Sequence, residues 1–193
     1  MDSNEFIERY ADGHRDFSGE FLEGLVLSRL LIQNVDLNGA ILNNSEIVKS
    51  DIRGVDFRGS MLQNSRFYKT DISKCDFTDA DLRGSNFNQV HFKETIFDHA
   101  NLSESSFTEA LISRSSLRFT QLKRLLCWRL KLREVDLSQS VIDYSKLYIY
   151  EMDQVKVENL SAIDIELNDG ISFDEIIEED GEVMSYVFEE LLD

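Results

Sequence analysis

Between Leu37 and Leu117 every fifth residue is large and apolar, from Leu37, Leu42, Ile47, Ile52 and Phe57 through Phe77, Phe87 and Phe97 to Leu117, seventeen in all. Two places before each stands a small or β-branched residue, as in Ala40, Ser45, Val55, Ser60, Thr70, Cys75 and Ala80. The place directly before is often Asp or Asn, as in Asp36, Asp56, Asp76, Asp81 and Asn101. A helix repeats its face every 3.6 residues and a strand every two, so neither keeps positions five apart on one face. A chain that points in, out, in, out and then spends one residue on a corner does keep them there. Such a chain must coil, and stacked coils pair backbone groups that would otherwise be orphaned. An internal repeat this regular decides the fold before anything else.

Ala80-Asp81-Leu82-Arg83-Gly84 and Ala100-Asn101-Leu102-Ser103-Glu104 match the motif A-(D/N)-L-x-x outright. Residues 17–157 thereby resemble the pentapeptide-repeat family, and the lead-in Glu8–Phe17 is similar to that of its cyanobacterial-type members. The resemblance implies an all-β solenoid, a right-handed quadrilateral parallel β-helix with four pentapeptides per coil. From Leu22 to Val157 the phase is unbroken over twenty-eight centres, enough for seven such coils. Members of the family that mimic DNA and protect a type II topoisomerase often carry loops that interrupt the coil. No insertion occurs here between Leu22 and Val157, which counts against that activity.

The expected organisation has three parts. Residues 1–16 form an N-terminal helical cap, with Asp2 as its cap residue and Phe6, Ile7, Tyr10 and Ala11 on one face. Residues 17–158 form the β-helix. Residues 159–193 form an acidic helical segment in which Ser172-Phe173-Asp174-Glu175 reads as a capping box. Helical caps suit a solenoid because its bare end edges otherwise recruit other chains.

Charge is distributed unevenly. Of the net −17, residues 163–193 supply −12, with twelve acidic residues and no Lys or Arg. The first 162 residues hold 25 acidic against 20 basic, a net of −5. A DNA mimic needs negative charge spaced along the rod like phosphates, and here it sits in the tail. The Asp residues before the centres are read as structural, since short polar side chains bond nearby backbone at corners.

Residues 111–133 reverse the balance, holding Arg114, Arg118, Lys123, Arg124, Arg129, Lys131 and Arg133 and no acidic residue. In the five-residue register Leu126, Trp128, Tyr148 and Ile149 point outward. Trp128 and Tyr148 are twenty apart and so belong on one face of adjacent coils. Clustered apolar surface marks a contact, so these four with Arg129, Lys131 and Arg133 form the expected interaction patch. Its cover is either the C-terminal segment, within the chain or swapped to a twin subunit, or a protein partner.

Chemistry-bearing motifs are missing. His14, His91 and His99 show no metal-ligand spacing, and no phosphate loop or nucleophile elbow occurs. Cys75 and Cys127 both fall on inward positions, so they read as core residues rather than a disulfide or metal pair. There is no eighteen-residue apolar run and the N-terminus is acidic. The expectation is therefore a cytoplasmic, non-catalytic interaction module without cofactor. Its partner is a protein or a second copy, with no membrane role and nucleic acid disfavoured by charge. The alternative is a DNA-mimic protein acting on a type II topoisomerase.

Overall fold

In the computed structural model residues 1–167 are described in full, and of residues 182–187 the backbone course. Backbone pairing advances in steps of twenty: Val26 stands opposite Glu46, Glu46 opposite Arg66, and Arg66 opposite Asn86. Four pentapeptides thus make one coil, and the coils form a parallel β-solenoid of about seven turns.

The first five coils each place a pair of short strands on adjacent faces. These are β1 (Val26–Ser28) and β2 (Leu31–Gln33), β3 (Glu46–Val48) and β4 (Asp51–Arg53), β5 (Arg66–Tyr68) and β6 (Asp71–Ser73). They continue as β7 (Asn86–Asn88) and β8 (His91–Lys93), then β9 (Ser106–Thr108) and the longer β10 (Leu111–Ser116). The other two faces touch their neighbours through single bridges, as in Asp36 to Asp56 and Ile41 to Met61.

Two positions of the pentapeptide do most of the shaping. The second residue after each centre turns the corner with positive φ, from Gly19 (64°) and Arg29 (58°) to Asp164 (51°). On the bridged faces a turn closes each corner, as where Leu25 N–H donates to the Leu22 carbonyl at 3.1 Å. The small residue before each centre points inward and is buried with it. Where it is serine, its hydroxyl donates to a backbone carbonyl, either of a centre on the preceding coil, as Ser65 to Leu42 (3.0 Å) and Ser85 to Leu62 (2.7 Å), or on its own coil, as Ser60 to Phe57 (2.7 Å). Among the described residues no buried side-chain nitrogen or oxygen lacks a partner.

The Asp and Asn residues before the centres are structural, as expected. On the bridged faces they accept the N–H two residues on, as Asp36 from Asn38 (2.9 Å), Asp56 from Arg58 (3.0 Å) and Asp76 from Thr78 (2.9 Å), whereas Asp51 on a strand face meets the Arg53 side chain instead.

Large centres fill the axis. Phe57, Phe77 and Phe97 stack along one face at centroid separations of 4.5 and 4.9 Å, within 6° of parallel. Phe67, Phe87 and Phe107 stack along another at 5.1 and 4.7 Å. Phe92 meets Phe77, Phe87 and Phe97 edge-on. Each ring removed from water contributes on the order of 1.5–3 kcal/mol before chain entropy is subtracted.

The expected N-terminal cap is α1 (Ser3–Ala11), with the Asp2 carboxylate accepting from Asn4 and Glu5 N–H at 2.9 Å. Phe6 is fully buried and its ring lies 4.5 Å from that of Phe17, closing the axis like a plug. The cap also occupies hydrogen-bonding groups on the exposed edge of the first coil. The Met1 amino group donates to Phe21 O (2.8 Å), Val26 N–H donates to Ser3 Oγ (2.8 Å), and Tyr10 OH receives Gln33 N–H (3.0 Å) while donating to Leu31 O (3.2 Å). These contacts cover an edge that would otherwise template pairing with another chain.

The C-terminal end departs from the sequence reading in three ways. First, the coil does not stop at residue 158: Val141 pairs with Ser161, and β13 (Glu166–Leu167) pairs with Lys146 and Leu147. Second, the helix expected over 172–192 is not what forms at 182–187. These residues are strand β14 (Glu182–Val187), antiparallel to β12 (Lys146–Lys156), with Val183 opposite Val155. The capping box at 172–175 and the apolar positions outside 182–187 lie outside the described residues. An open strand edge offers a row of unpaired donors and acceptors, and that tertiary demand overrides a 3.6-residue apolar pattern.

Third, Ile149 is not outward. It is 1% exposed, and Tyr150, in the place of a small inward residue, is left half-buried instead. Every fifth residue from Gly19 to Asp164 has positive φ except Ile149. A β-branched residue in the left-handed region is strongly disfavoured, and a tyrosine is too bulky for the inward site. The two misfits resolve together: the chain stays extended through the corner, Ile149 turns in and Tyr150 turns out. The ladder records this slip, with Ile149 opposite Leu130 between the pairs Trp128–Tyr148 and Lys131–Glu151. The phase recovers at Met152, which is fully buried.

β11 (Leu126–Asp136) and β12 each run as an eleven-residue strand across the corner that divides β1 from β2, β11 with Arg129 still left-handed there. In this region bulky Leu125 and Leu130 take small positions and Cys127 takes a centre, and an apolar cavity of about 30 Å³ remains between Phe107 and Leu147. Both cysteines are free and buried, and burial pushes the Cys75 thiol up to about 12. Among the described residues no helix is long and apolar enough to cross a membrane.

Candidate interaction surface

The residues expected to form an interaction patch lie on β11 and β12. Leu126 (50% exposed) and Trp128 (46%) point outward on either side of buried Cys127, as strand alternation requires. Trp128 pairs in register with Tyr148, their rings 5.3 Å apart and tilted by 58°. The Tyr148 hydroxyl donates to Glu166 Oε1 (2.7 Å), and Lys146 Nζ lies 2.9 Å from Glu166 Oε2. Hydrogen bonds from Tyr148 and Lys146 hold the Glu166 carboxyl below its ordinary value. The aromatic pair is therefore braced from the next coil. Ile149, buried, does not belong to this surface.

The three basic residues of the patch have different environments. Arg133 grips Glu151 with two bonds, Nε to Oε1 at 2.5 Å and a terminal nitrogen to Oε2 at 2.8 Å. That hydrogen bonding keeps the Glu151 carboxyl low despite partial burial. Lys131 Nζ sits 4.6 Å from the centroid of the Tyr150 ring, a cation–π contact. Arg129 occupies a corner, with φ of 55°.

Three arginines of the wider basic stretch pair with carboxylates of neighbouring coils. Arg114 meets Glu94 (3.2 Å), Arg124 meets Glu104 (3.1 Å) and Arg118 meets Asp136 (3.8 Å). Sequence reasoning could not see these pairs as such, although residues eighteen or twenty apart are the ones that meet. It also missed Tyr150, whose signal was a large ring at a position reserved for small residues. Beside it a groove of about 530 Å³ follows the corner, lined by Glu109, Leu111, Arg129, Lys131, Arg133 and Tyr150 among others.

Among the described residues no three His, Cys, Asp or Glu side chains gather where they could hold a metal ion. His91 Nδ1 lies 3.2 Å from Asp71 on an open strand surface.

Comparison with known proteins finds the same repeat in a family model. A family model described as pentapeptide repeats matches in eight copies, over residues 22–59, 48–79 and 75–114. Among solved structures, the chain is similar to HetL of Nostoc sp. strain PCC 7120, a pentapeptide repeat protein involved in heterocyst differentiation regulation. The two share 17% identity over 89% of this chain and 99% of that one, with a TM-score of 0.42. Rfr23 of Cyanothece 51142 shares 18% over 86% and 96%, TM-score 0.39. QnrB1, a plasmid-mediated fluoroquinolone resistance protein, shares 17% over 80% and 90%, TM-score 0.34. A comparison with curated protein sequences gives no match. With its twenty-residue ladder, its left-handed corners and these eight matched copies, the chain is a pentapeptide-repeat protein.

Proposed function

We propose that this protein is a non-catalytic, cytoplasmic interaction module whose contact surface is centred on Leu126, Trp128 and Tyr148. The observation that carries the reading is exposed Trp128, packed against half-buried Tyr148 and set beside exposed Leu126 on one strand. Amphipathic aromatic rings of this kind supply large contact area at small entropic cost, and they dominate the energetics of interfaces. Free, buried cysteines suit a reducing compartment.

Local ion pairing supports this reading over DNA mimicry. Asp56 is gripped by Arg58 (2.9 Å) and Asp81 by Arg83 (2.9 Å) on their own coils. Carboxylates neutralised one by one do not present the continuous negative field of a phosphate backbone.

The test compares Trp128→Ser with Phe21→Ser, a control that removes another exposed ring (58%) at the other end of the rod. Sedimentation of the purified protein shows whether it self-associates, and affinity capture from its native cell extract finds other partners. Association lost in Trp128→Ser and retained in Phe21→Ser supports the surface. Equal behaviour of the two variants refutes it. Addition of the protein is expected to leave supercoiling by a type II topoisomerase unchanged.

A further inference from the structure

One column of centres is interrupted on the axis. Phe67, Phe87 and Phe107 stack in contact, and the next member of the column is Cys127, opposite Phe107 on one side and Leu147 on the other. A thiol stands where the three preceding coils place a phenyl ring. Leu125 and Leu130, entering at small positions, do not close the space that is left, and a cavity of about 30 Å³ remains. Ile149, turned inward by the slipped corner, forms part of its wall. Two departures from the repeat therefore meet at this cavity.

Its chemistry is uniform. Every residue of the wall is aliphatic or aromatic, among them Phe107, Ile112, Leu122, Leu130, Leu147 and Ile149, and no polar atom faces the space. Size alone would admit water, whose share of the liquid is roughly 30 Å³. A buried water needs about two to four polar partners, and here it finds none, so the cavity is dry. An apolar guest gains twice. It leaves water, and it supplies the dispersion contacts that the wall atoms lack on their open side.

We infer that this cavity is a binding site for a small uncharged apolar molecule of roughly one or two heavy atoms, with dioxygen as the guest that aerated water supplies. The neighbouring thiol leaves such a guest unchanged. Burial pushes the Cys127 thiol up, and the protonated form is not the species that oxidises readily. The inference is independent of what the Trp128 surface binds.

The test applies nuclear magnetic resonance to the full chain with labelled methyl groups, under dissolved dioxygen, whose paramagnetism speeds the relaxation of any methyl it touches. Methyls of Ile112, Leu122 and Ile149 are expected to relax severalfold faster than those of Leu62, Ile72 and Leu82, which are comparably buried in the middle coils. Xenon, a single diamagnetic atom, should shift the resonances of the same wall methyls and leave the middle coils unmoved. Cys127→Phe carries the ring column into the cavity and should abolish both effects. Cys127→Leu, a smaller change that copies the centres Leu122 and Leu132, should weaken them and serves where the ring does not fit. Amides of the middle coils report whether each variant has kept its fold. Equal relaxation of wall and middle-coil methyls overturns the inference, as does an excess that survives intact in folded variants. Cross-relaxation between wall methyls and water overturns it in favour of a hydrated cavity.

Discussion

The middle coils and the last two coils follow one repeat with different success. In the middle, stacked Phe57, Phe77 and Phe97 fill one face and Phe67, Phe87 and Phe107 another. Every corner there takes the left-handed turn, and strands are three residues long. Beyond Phe107 the rings give way to Cys127, Leu132 and Leu137, leucines crowd the small positions, and one corner straightens at Ile149. A cavity is left where the two packings meet. The difference shows that the large centre alone does not set the shape. Shape also depends on the small inward residue and the corner residue, and where both are violated, at Ile149 and Tyr150, the corner straightens.

The greatest loss is expected where the regular packing is densest. Phe77 is fully buried between two parallel rings, and Phe77→Ala should destabilise by about 3–5 kcal/mol in denaturant unfolding. A loss below about 1 kcal/mol would mean that the ring stack is not what holds the middle coils.

The slipped corner can be repaired or worsened. Ile149→Asn alone should cost about 2–3 kcal/mol, since it buries an amide where an isoleucine packs. Ile149→Asn with Tyr150→Ser restores the corner chemistry of the other coils and should recover most of that loss. The coupling between the two sites is read from a double-mutant cycle. Additive effects would show that the two misfits are unrelated.

Acid should loosen the ion-paired coils. A hydrogen bond from Arg58 leads the causes that hold Asp56 below its ordinary 3.8. Asp81 is pushed up by burial, but bonds from Arg83 and Gln63 outweigh this and leave it lowered too. Carboxyls depressed in the folded state add stability that is complete above the unfolded value and lost as pH falls through the folded one. Midpoints of unfolding should thus be flat from pH 7 to about 5 and fall below about 4. Asp56→Asn with Asp81→Asn should blunt that fall.

The smallest effect separates two corners of the same fold. Gly59 (φ 61°) has open space where a side chain would stand, so Gly59→Ala carries only the left-handed penalty of about 1 kcal/mol. A Cβ on Gly84 (φ 68°) would lie 2.6 Å from Asn64 Oδ1, so Gly84→Ala must also displace that side chain and should cost more. Equal midpoints in thermal unfolding would dissolve the distinction.

Much of this was legible in the sequence because each coil obeys the same local rule. The centres, the small inward residues, the structural Asp positions and the Asp2 cap are all local signals. Leu126, Trp128 and Tyr148 were legible as a surface for the same reason. Ile149 was misread by trusting the period over the residue, although a β-branched side chain at a left-handed corner was itself the warning. Strand β14 was not legible, because Val183-Met184-Ser185-Tyr186-Val187 serves either periodicity and a distant open edge made the choice. The neutralising partners of Arg114 and Arg133 become visible only once the coil length is known.

A ladder in steps of twenty built from units of five has a consequence for how such surfaces change over evolutionary time. Five extra residues ahead of Leu122 would keep every later centre inward, yet they would carry Trp128 and Tyr148 round the rod by one face. Loss of five would carry them the other way, and a gain of twenty would slide them along without rotation. Duplication and deletion thus act on this molecule as a dial with four stops, re-aiming a finished binding surface against the rest of the rod without redesigning a single contact in the core.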